Sequence, residues 1–308
     1  MSKDVLDQDF VFVVGKGGVG KTTVSAALAL AAARRGKRVL VAMANAKERL
    51  SQLLEVPPIG PDNVPILDRI EAVNMTPDKA LEEYGMMVLK VRALYRAVFE
   101  NRFVRSFLRG TPGMDAWSML GKAYYHAVET GAHGHKRYDL VILDAPATGH
   151  GLDMLRVPKV IVDVAPPGLL RREAENALGL MRDPSRTGVV IVTLPEDMPV
   201  NETLELHAAL RDELHMPVSN LVINRVVPEL FPAEETARFE RLEANVPEGS
   251  PLVPLARAAR WRAVRERIQR ASLQRLDREL PLPRVELPRM YVPEFGRAQV
   301  ESLSRSFD

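Results

Sequence analysis

The chain has 308 residues, 46% of them hydrophobic and 27% charged, with 42 Lys and Arg against 40 Asp and Glu. That composition describes a globular protein of one large domain or two small ones, and a net charge of +2 gives no electrostatic reason to expect nucleic acid as a partner. Cysteine is absent, which excludes disulfides, thiolate metal sites and cysteine nucleophiles together.

The opening Met1-Ser2-Lys3-Asp4 is charged, and the longest apolar runs are strand-sized. Neither a signal peptide nor a bilayer span is predicted, so a cytoplasmic location is expected. The first predicted strand is Phe10-Val11-Phe12-Val13-Val14, and an alanine-rich helix is expected from Val24 to about Arg35. Between them lies Gly15-Lys16-Gly17-Gly18-Val19-Gly20-Lys21-Thr22-Thr23. Strand, glycine loop and helix in that order are the context of a phosphate-binding loop. Its glycines allow backbone N–H groups to converge on phosphate oxygens where a side chain would block the approach. Lys21 is placed to reach the β- and γ-phosphates of a nucleotide, the Thr22 hydroxyl to ligate Mg²⁺, and Thr23 to touch the α-phosphate. Lys16 is a second lysine that such a loop does not need.

Further apolar runs at 38–43, 138–143, 188–193 and 220–223 alternate with helical patterns. This predicts an α/β fold with a mostly parallel, twisted sheet flanked by helices. Val160-Ile161-Val162-Asp163-Val164 is open between strand and helix, and residues 56–65 read as a proline-rich linker. Residues 77–136 carry helical spacing with no β-run, through Tyr84, Val88, Val91, Leu94-Tyr95 and Val98, and are expected to form a helical insertion within a single domain spanning 1–308. Five of the twelve methionines, Met75, Met86, Met87, Met114 and Met119, lie in or beside it. Methionine suits both core filling between helices and a surface that accepts varied apolar segments.

Leu140-Val141-Ile142-Leu143-Asp144 ends a buried-type strand on a carboxylate, the position from which phosphate-loop enzymes hold water in the Mg²⁺ shell. The following Ala145-Pro146-Ala147-Thr148-Gly149-His150-Gly151 places two glycines where a backbone N–H can approach a γ-phosphate. His133-Gly134-His135 lacks a third ligand and is a weak metal signal. Asn224 can donate and accept at once, which matches an adenine edge, and also suits a buried turn cap. The segment 255–280 holds eight arginines against three acids, with Trp261, Val264, Ile268, Leu276 and Leu280 at helical spacing. A solvated amphipathic helix and a docking face for an acidic partner or anionic lipid both fit that pattern.

The pattern G-K-x-x-x-x-G-K-T resembles the deviant Walker A class, and the stretch from Asp144 to Pro158 resembles the second switch of the ArsA and tail-anchored-protein-targeting ATPases. Thr111-Pro112-Gly113-Met114-Asp115, Val192-Thr193-Leu194-Pro195-Glu196 with Asn201-Glu202-Thr203, Val222-Ile223-Asn224-Arg225 and Pro251-Leu252-Val253-Pro254-Leu255 are similar to further segments of that family. The resemblance implies ATP and Mg²⁺ as cofactors, with a dimer in which Lys16 reaches the partner's nucleotide. It places Gly15, Gly17, Gly18, Val19, Gly20, Lys21, Thr22, Thr23 and Gly149 on phosphate, and Asn224, Arg225 and Pro254 near the base. It also implies a protein client or membrane partner. The family's first switch usually reads D-P-A-H-x-L-S-D, whereas here Asn45-Ala46-Lys47-Glu48-Arg49-Leu50-Ser51-Gln52 stands in that register. With Lys16, Lys21 and Asp144, Asn45 completes the expected catalytic set. An amide can hold the attacking water but cannot accept its proton near neutral pH, so slow hydrolysis is expected. The alternative is an ATP-gated, hydrolysis-deficient subunit that pairs with an active paralogue, a heterodimer rather than a homodimer. Glu48 is a weak candidate for a substitute carboxylate. Arsenite capture needs soft thiolates, which this chain lacks.

Overall fold

The computed structural model describes residues 4–89, 113–130, 134–232, 235–241, 243–247 and 249–308. Strand β1 (Phe10–Val14) is buried along its whole length. It leads through the glycine loop into α1 (Lys21–Arg34), whose alanine-rich sequence lets it pack closely on the sheet with nine successive residues buried, from Val24 to Ala32. Next come β2 (Val39–Ala44), the short α2 (Leu50–Leu54), and β3 (Val64–Leu67) and β4 (Ile70–Met75), which pair antiparallel. Helices α3 (Pro77–Leu89) and α4 (Met114–Val128) occupy the described part of the expected insertion. The expectations at Val91, Leu94, Tyr95, Val98 and Thr111-Pro112 fall outside the described residues.

The chain returns to the sheet with β5 (Leu140–Asp144), followed by α5 (Thr148–Val164), α6 (Leu169–Arg182), β6 (Thr187–Thr193), α7 (Asp197–Ala208) and β7 (Val218–Val226). A short α8 (Thr236–Glu240), the long α9 (Val253–Glu279), β8 (Arg284–Pro288) and α10 (Arg297–Ser304) complete it. The eight strands lie in the order β3-β4-β2-β5-β1-β6-β7-β8, parallel except at the β3–β4 pair. Alternate residues of each strand feed opposite faces. Phe10 and Phe12 join the side covered by α4, α5 and α7, while Val11 and Val13 join the side covered by α1, α2 and α10.

Three departures from the sequence reading have physical causes. The ambiguous 160–164 run is the end of α5: Gly151, Met154, Leu155, Pro158 and Ile161 are buried at helical spacing, while Val160 and Val164 are exposed. The 56–65 linker gives way to β3 at Val64, and β3, β4 and β8 were not read as strands. Strands β3 and β8 are sheet edges: β3 is only four residues long and carries Pro65, and β8 is interrupted by Arg284 and Glu286. In α9 the covered face is Ala256, Ala263, Glu266, Gln269, Ser272 and Leu276, whereas Trp261 is 65% exposed. Its arginines pair within the chain: Arg262 with Glu266, Arg265 with Glu196, Arg267 with Glu240, Arg270 with Glu229 and Arg275 with Glu279. Those pairs neutralise much of the basic face on which an acidic partner would dock. Of the methionines, Met75, Met114 and Met119 fill core, and Met86 is exposed. Among the described residues no helix is long and apolar enough to cross a membrane.

Candidate functional site

In this sheet β1 has β5 on one side and β6 on the other, so the chain winds away from it in both directions. A crevice therefore opens at the carboxyl ends of the central strands. Into it come the loop after β1, Asn45 after β2, Asp144 at the end of β5, and Asn224 and Arg225 near the end of β7. The cleft holds about 650 Å³ and is lined by the Gly18–Thr23 arc, the first-switch segment, the Asp144–Ala147 turn, Arg225 and Phe295.

The loop's glycines are required by space as well as by torsion. Gly20 has φ +99°, and a Cβ there would overlap the Asn224 amide; Gly15 has φ +147°, and a Cβ there would overlap the Val192 carbonyl. Gly20 caps α1 without any side-chain hydrogen bond, which leaves the first-turn N–H groups of a 14-residue helix facing the cleft. Lys21 Nζ donates to the carbonyls of Gly15 (3.0 Å) and Lys16 (3.1 Å), so the loop curls around its own ammonium. Burial lowers the Lys21 pKa, and the nearby Asp144 charge works against that shift.

Thr22 Oγ1 donates to Asp144 Oδ2 at 2.6 Å. Asp144 is buried, and its Oδ1 has no hydrogen-bond partner. Burial raises its pKa to about 6, against the opposing effects of the Thr22 hydroxyl and Lys21. Ser25 lies near enough to lower that value but outside hydrogen-bonding geometry, and its hydroxyl is likewise unpartnered. A hydroxyl and a carboxylate with a free buried oxygen are a hard oxygen donor set beside a phosphate cradle, which fits Mg²⁺. The open side of the loop at Gly18, where a Cβ would meet nothing within 4 Å, fits phosphate.

The other expected residues divide. Gly17, Val19 and Thr23 belong to the cradle or its flank; Val19 is buried beneath it. Gly149 lies in the first turn of α5. Asn45 is exposed in the cleft with φ +47°, a left-handed conformation asparagine tolerates, and its N–H donates to Met75 O. Asn224 is buried with both amide ends engaged: Nδ2 donates to Val19 O (2.8 Å) and Oδ1 accepts from Arg225 N (2.9 Å), which leaves one N–H and one lone pair. Pro254 starts α9, is exposed, and does not line the cleft. Lys16 points elsewhere, its Nζ 2.6 Å from Glu202 Oε1 on α7. Glu48 is no substitute carboxylate: Oε1 accepts from Ser51 N and Oε2 from Ser51 Oγ, so it caps α2. His133 lies outside the described residues, among which no group of three or more His, Asp or Glu could hold a metal.

Several participants were not found from sequence. Asn74 clamps the first switch, its Oδ1 accepting from Ala46 N and its Nδ2 donating to Ala46 O. Phe295, from the loop before α10, walls the cleft. Neither carries a local signal. Lys47 and Arg49 also line the cleft, and their place beside Asn45 is the sequence signal for them.

A glycine cradle at a helix start, a half-buried lysine within it and a helix-borne hydroxyl paired with a carboxylate on the adjacent strand, all at the carboxyl edge of a parallel sheet, define a P-loop nucleotide-binding protein. The family described as anion-transporting ATPase matches residues 8–165 and 170–245, and the chain belongs to that family of ATPases. It is 29% identical over 294 residues to ATPase BagA of Mycobacterium tuberculosis, covering 90% of this chain and 86% of that one. It is 26% identical over 259 residues to the arsenical pump-driving ATPase of Escherichia coli, covering 77% of this chain but 44% of the relative. It is also 25% identical over 276 residues to ATPase GET3C of Arabidopsis thaliana, covering 73% and 68%.

Proposed function

We propose that this chain binds Mg²⁺–ATP in the cleft and couples hydrolysis to closure of a dimer that handles a protein client or membrane partner. The observation that carries the reading is the 2.6 Å Thr22–Asp144 pair with its unpartnered buried carboxylate oxygen, set against an uncapped helix start. Thr22 would ligate the metal directly and Asp144 through water, and a bound Mg²⁺ would supply charge neutralisation between phosphates. Lys21 reaches the terminal phosphates by exchanging two carbonyl contacts for phosphate oxygens. The remaining N–H and lone pair of Asn224 face the base while its other contacts brace the loop. Asn45 holds the attacking water without taking its proton, which makes turnover slow. Lys16, once freed from Glu202, serves the nucleotide of a facing copy.

Client handling has support in a groove of about 380 Å³ lined by Met114, Val157, Val160, Ile161, Val164 and Leu170. Val160 and Val164, on the helix that follows Asp144, are 53% and 76% exposed. A nucleotide-driven shift of the Asp144–Ala147 turn would move that helix directly.

The second reading, a hydrolysis-deficient subunit paired with a paralogue, is favoured by the neutral Asn45 together with the loss of Glu48 to capping. Steady-state ATPase and mass measurements on the wild type and Lys21→Ala, with and without Mg²⁺–ATP, test both. Turnover with ATP-dependent doubling of mass supports the first reading. Binding without turnover supports the second. A Lys21→Ala protein that binds ATP normally would sink both.

A further inference from the structure

The cleft carries more positive charge than the cradle alone requires. Its lining includes four cationic side chains, Lys21, Lys47, Arg49 and Arg225, and one carboxylate, Asp144. Lys21 is engaged with the loop carbonyls. Arg49 is exposed to the cleft, and among the described residues its guanidinium has no hydrogen bond or ion pair. The acids that would normally claim it are missing or occupied. Asn45, four residues before it, and Gln52, three after, are neutral. The carboxylate of Glu48 is held at both oxygens by Ser51.

The backbone beneath Arg49 is, in contrast, firmly set. Its carbonyl accepts from Leu53 N at 3.0 Å. The flanking Glu48 caps the helix, and Leu50 and Leu54 are wholly buried. Upstream, Asn74 pins Ala46 through both its amide atoms. A guanidinium with no internal partner, mounted on a fixed turn in a cationic cleft, is a pre-organised receptor for a terminal phosphate.

We propose that Arg49 is a catalytic residue supplied in cis: its guanidinium engages the terminal phosphate of a bound nucleoside triphosphate and offsets charge on the oxygens of the transferring group. This rests on the reading of the cleft as the nucleotide site and adds the residue that distinguishes triphosphate from diphosphate there. Planar fork geometry suits two phosphate oxygens at once, and arginine stays charged throughout. Lys47, on the same segment and also in the cleft lining, is a point charge without the planar fork and contributes general attraction for the anion.

The test compares binding of AMP-PNP and ADP, each with Mg²⁺, by calorimetry on wild type, Arg49→Ala, Arg49→Gln, Arg49→Lys and Lys21→Ala. The expected result is that Arg49→Ala and Arg49→Gln weaken AMP-PNP about ten- to a hundred-fold and ADP less than about two-fold, with Arg49→Lys between. Where the wild type turns over, kcat falls in the same order. The metal-free, nucleotide-free melting temperature is expected to stay within about 1–2 °C, since an exposed side chain away from packing changes stability little. An unchanged ratio of the two affinities in both Arg49→Ala and Arg49→Gln, or equal weakening of both nucleotides, overturns the proposal. A wild type that binds neither nucleotide, or a Lys21→Ala protein that binds both, overturns instead the reading of the cleft.

Discussion

Lys16 Nζ stands 2.6 Å from Glu202 Oε1, joining the glycine loop to α7 across 186 positions of sequence. Both side chains keep about a third of their surface in water, 29% and 32%. A pair so exposed is worth at most about 1 kcal/mol after solvent screening. It is strong enough to park the lysine away from the cleft and weak enough to release it when a better anion arrives. A facing copy that presents triphosphate would be such an anion, since charge-assisted bonds to phosphate are stronger than a screened surface pair.

Replacing Glu202 by Gln should therefore favour the ATP-dependent assembly, by up to about five-fold in apparent dimer affinity. Lys16→Ala should keep ATP binding and lose assembly-dependent turnover. Sedimentation with and without Mg²⁺–ATP reads the first, and steady-state ATPase the second. Unchanged assembly in Glu202→Gln together with full turnover in Lys16→Ala would show that the contact has no part in closure.

Asp144 sets a pH dependence whose sign is unusual for a carboxylate. Burial raises its pKa from 3.8 to about 6. Between those values the folded chain holds a proton that the unfolded chain has released. This group's contribution to stability therefore falls as pH rises from about 4 to 6 and is flat above that. In metal-free, nucleotide-free protein Asp144→Asn should remove this slope and raise stability at pH 7 to 8 by up to about 3 kcal/mol. It should also abolish Mg²⁺-dependent turnover. Thermal melts from pH 4.5 to 8 on both proteins decide the matter, with parallel curves as the adverse result.

Asn224 braces Val19 from below. Truncating it leaves a buried carbonyl unpaired, at a cost of about 1–3 kcal/mol. Asn224→Ala is accordingly expected to lower the melting temperature and to weaken ATP and GTP alike, because the cradle itself loosens. A loss confined to ATP in a binding titration would instead make reading of the base its main task.

Asn45→Asp restores a group that can both hold water and take its proton. Turnover should rise about ten-fold or more, a modest general-base contribution. No gain in steady-state ATPase would remove Asn45 from the reacting centre.

Met86 lies exposed on α3, and Met87 is half-buried. If the helical region handles apolar clients, Met86→Ala with Met87→Ala should weaken binding of an apolar helical peptide several-fold and leave ATP affinity alone. Fluorescence anisotropy with a labelled peptide reads this, and equal binding would confine these methionines to packing.

The cradle was legible in the sequence because its chemistry is local. Turn torsions, N–H convergence and the helix start are all written within nine consecutive residues, Gly15 to Thr23. Buried strands such as Phe10–Val14 and the Leu140–Leu143 run before Asp144 are equally plain, since a strand covered on both faces reads as a nearly continuous apolar run. Edge strand β8 was not, because Arg284 and Glu286 face water. The run from Val160 to Val164 is open between strand and helix in the sequence because β-branched residues suit strands, and only its packing against neighbouring helices shows the 3.6-residue period.

What the sequence alone determined is therefore the phosphate loop, the parallel α/β frame and the family resemblance that follows from its motifs. The tertiary structure alone decided where free side chains end up. It placed Glu202 against Lys16, Asn224 beneath the loop, Phe295 on the cleft wall and Asn74 around Ala46. It also turned Glu48 away to cap a helix, so that Arg49 was left without an acid. Such pairings join segments that are distant along the chain, and only the way the helices pack on the sheet brings them within hydrogen-bonding reach.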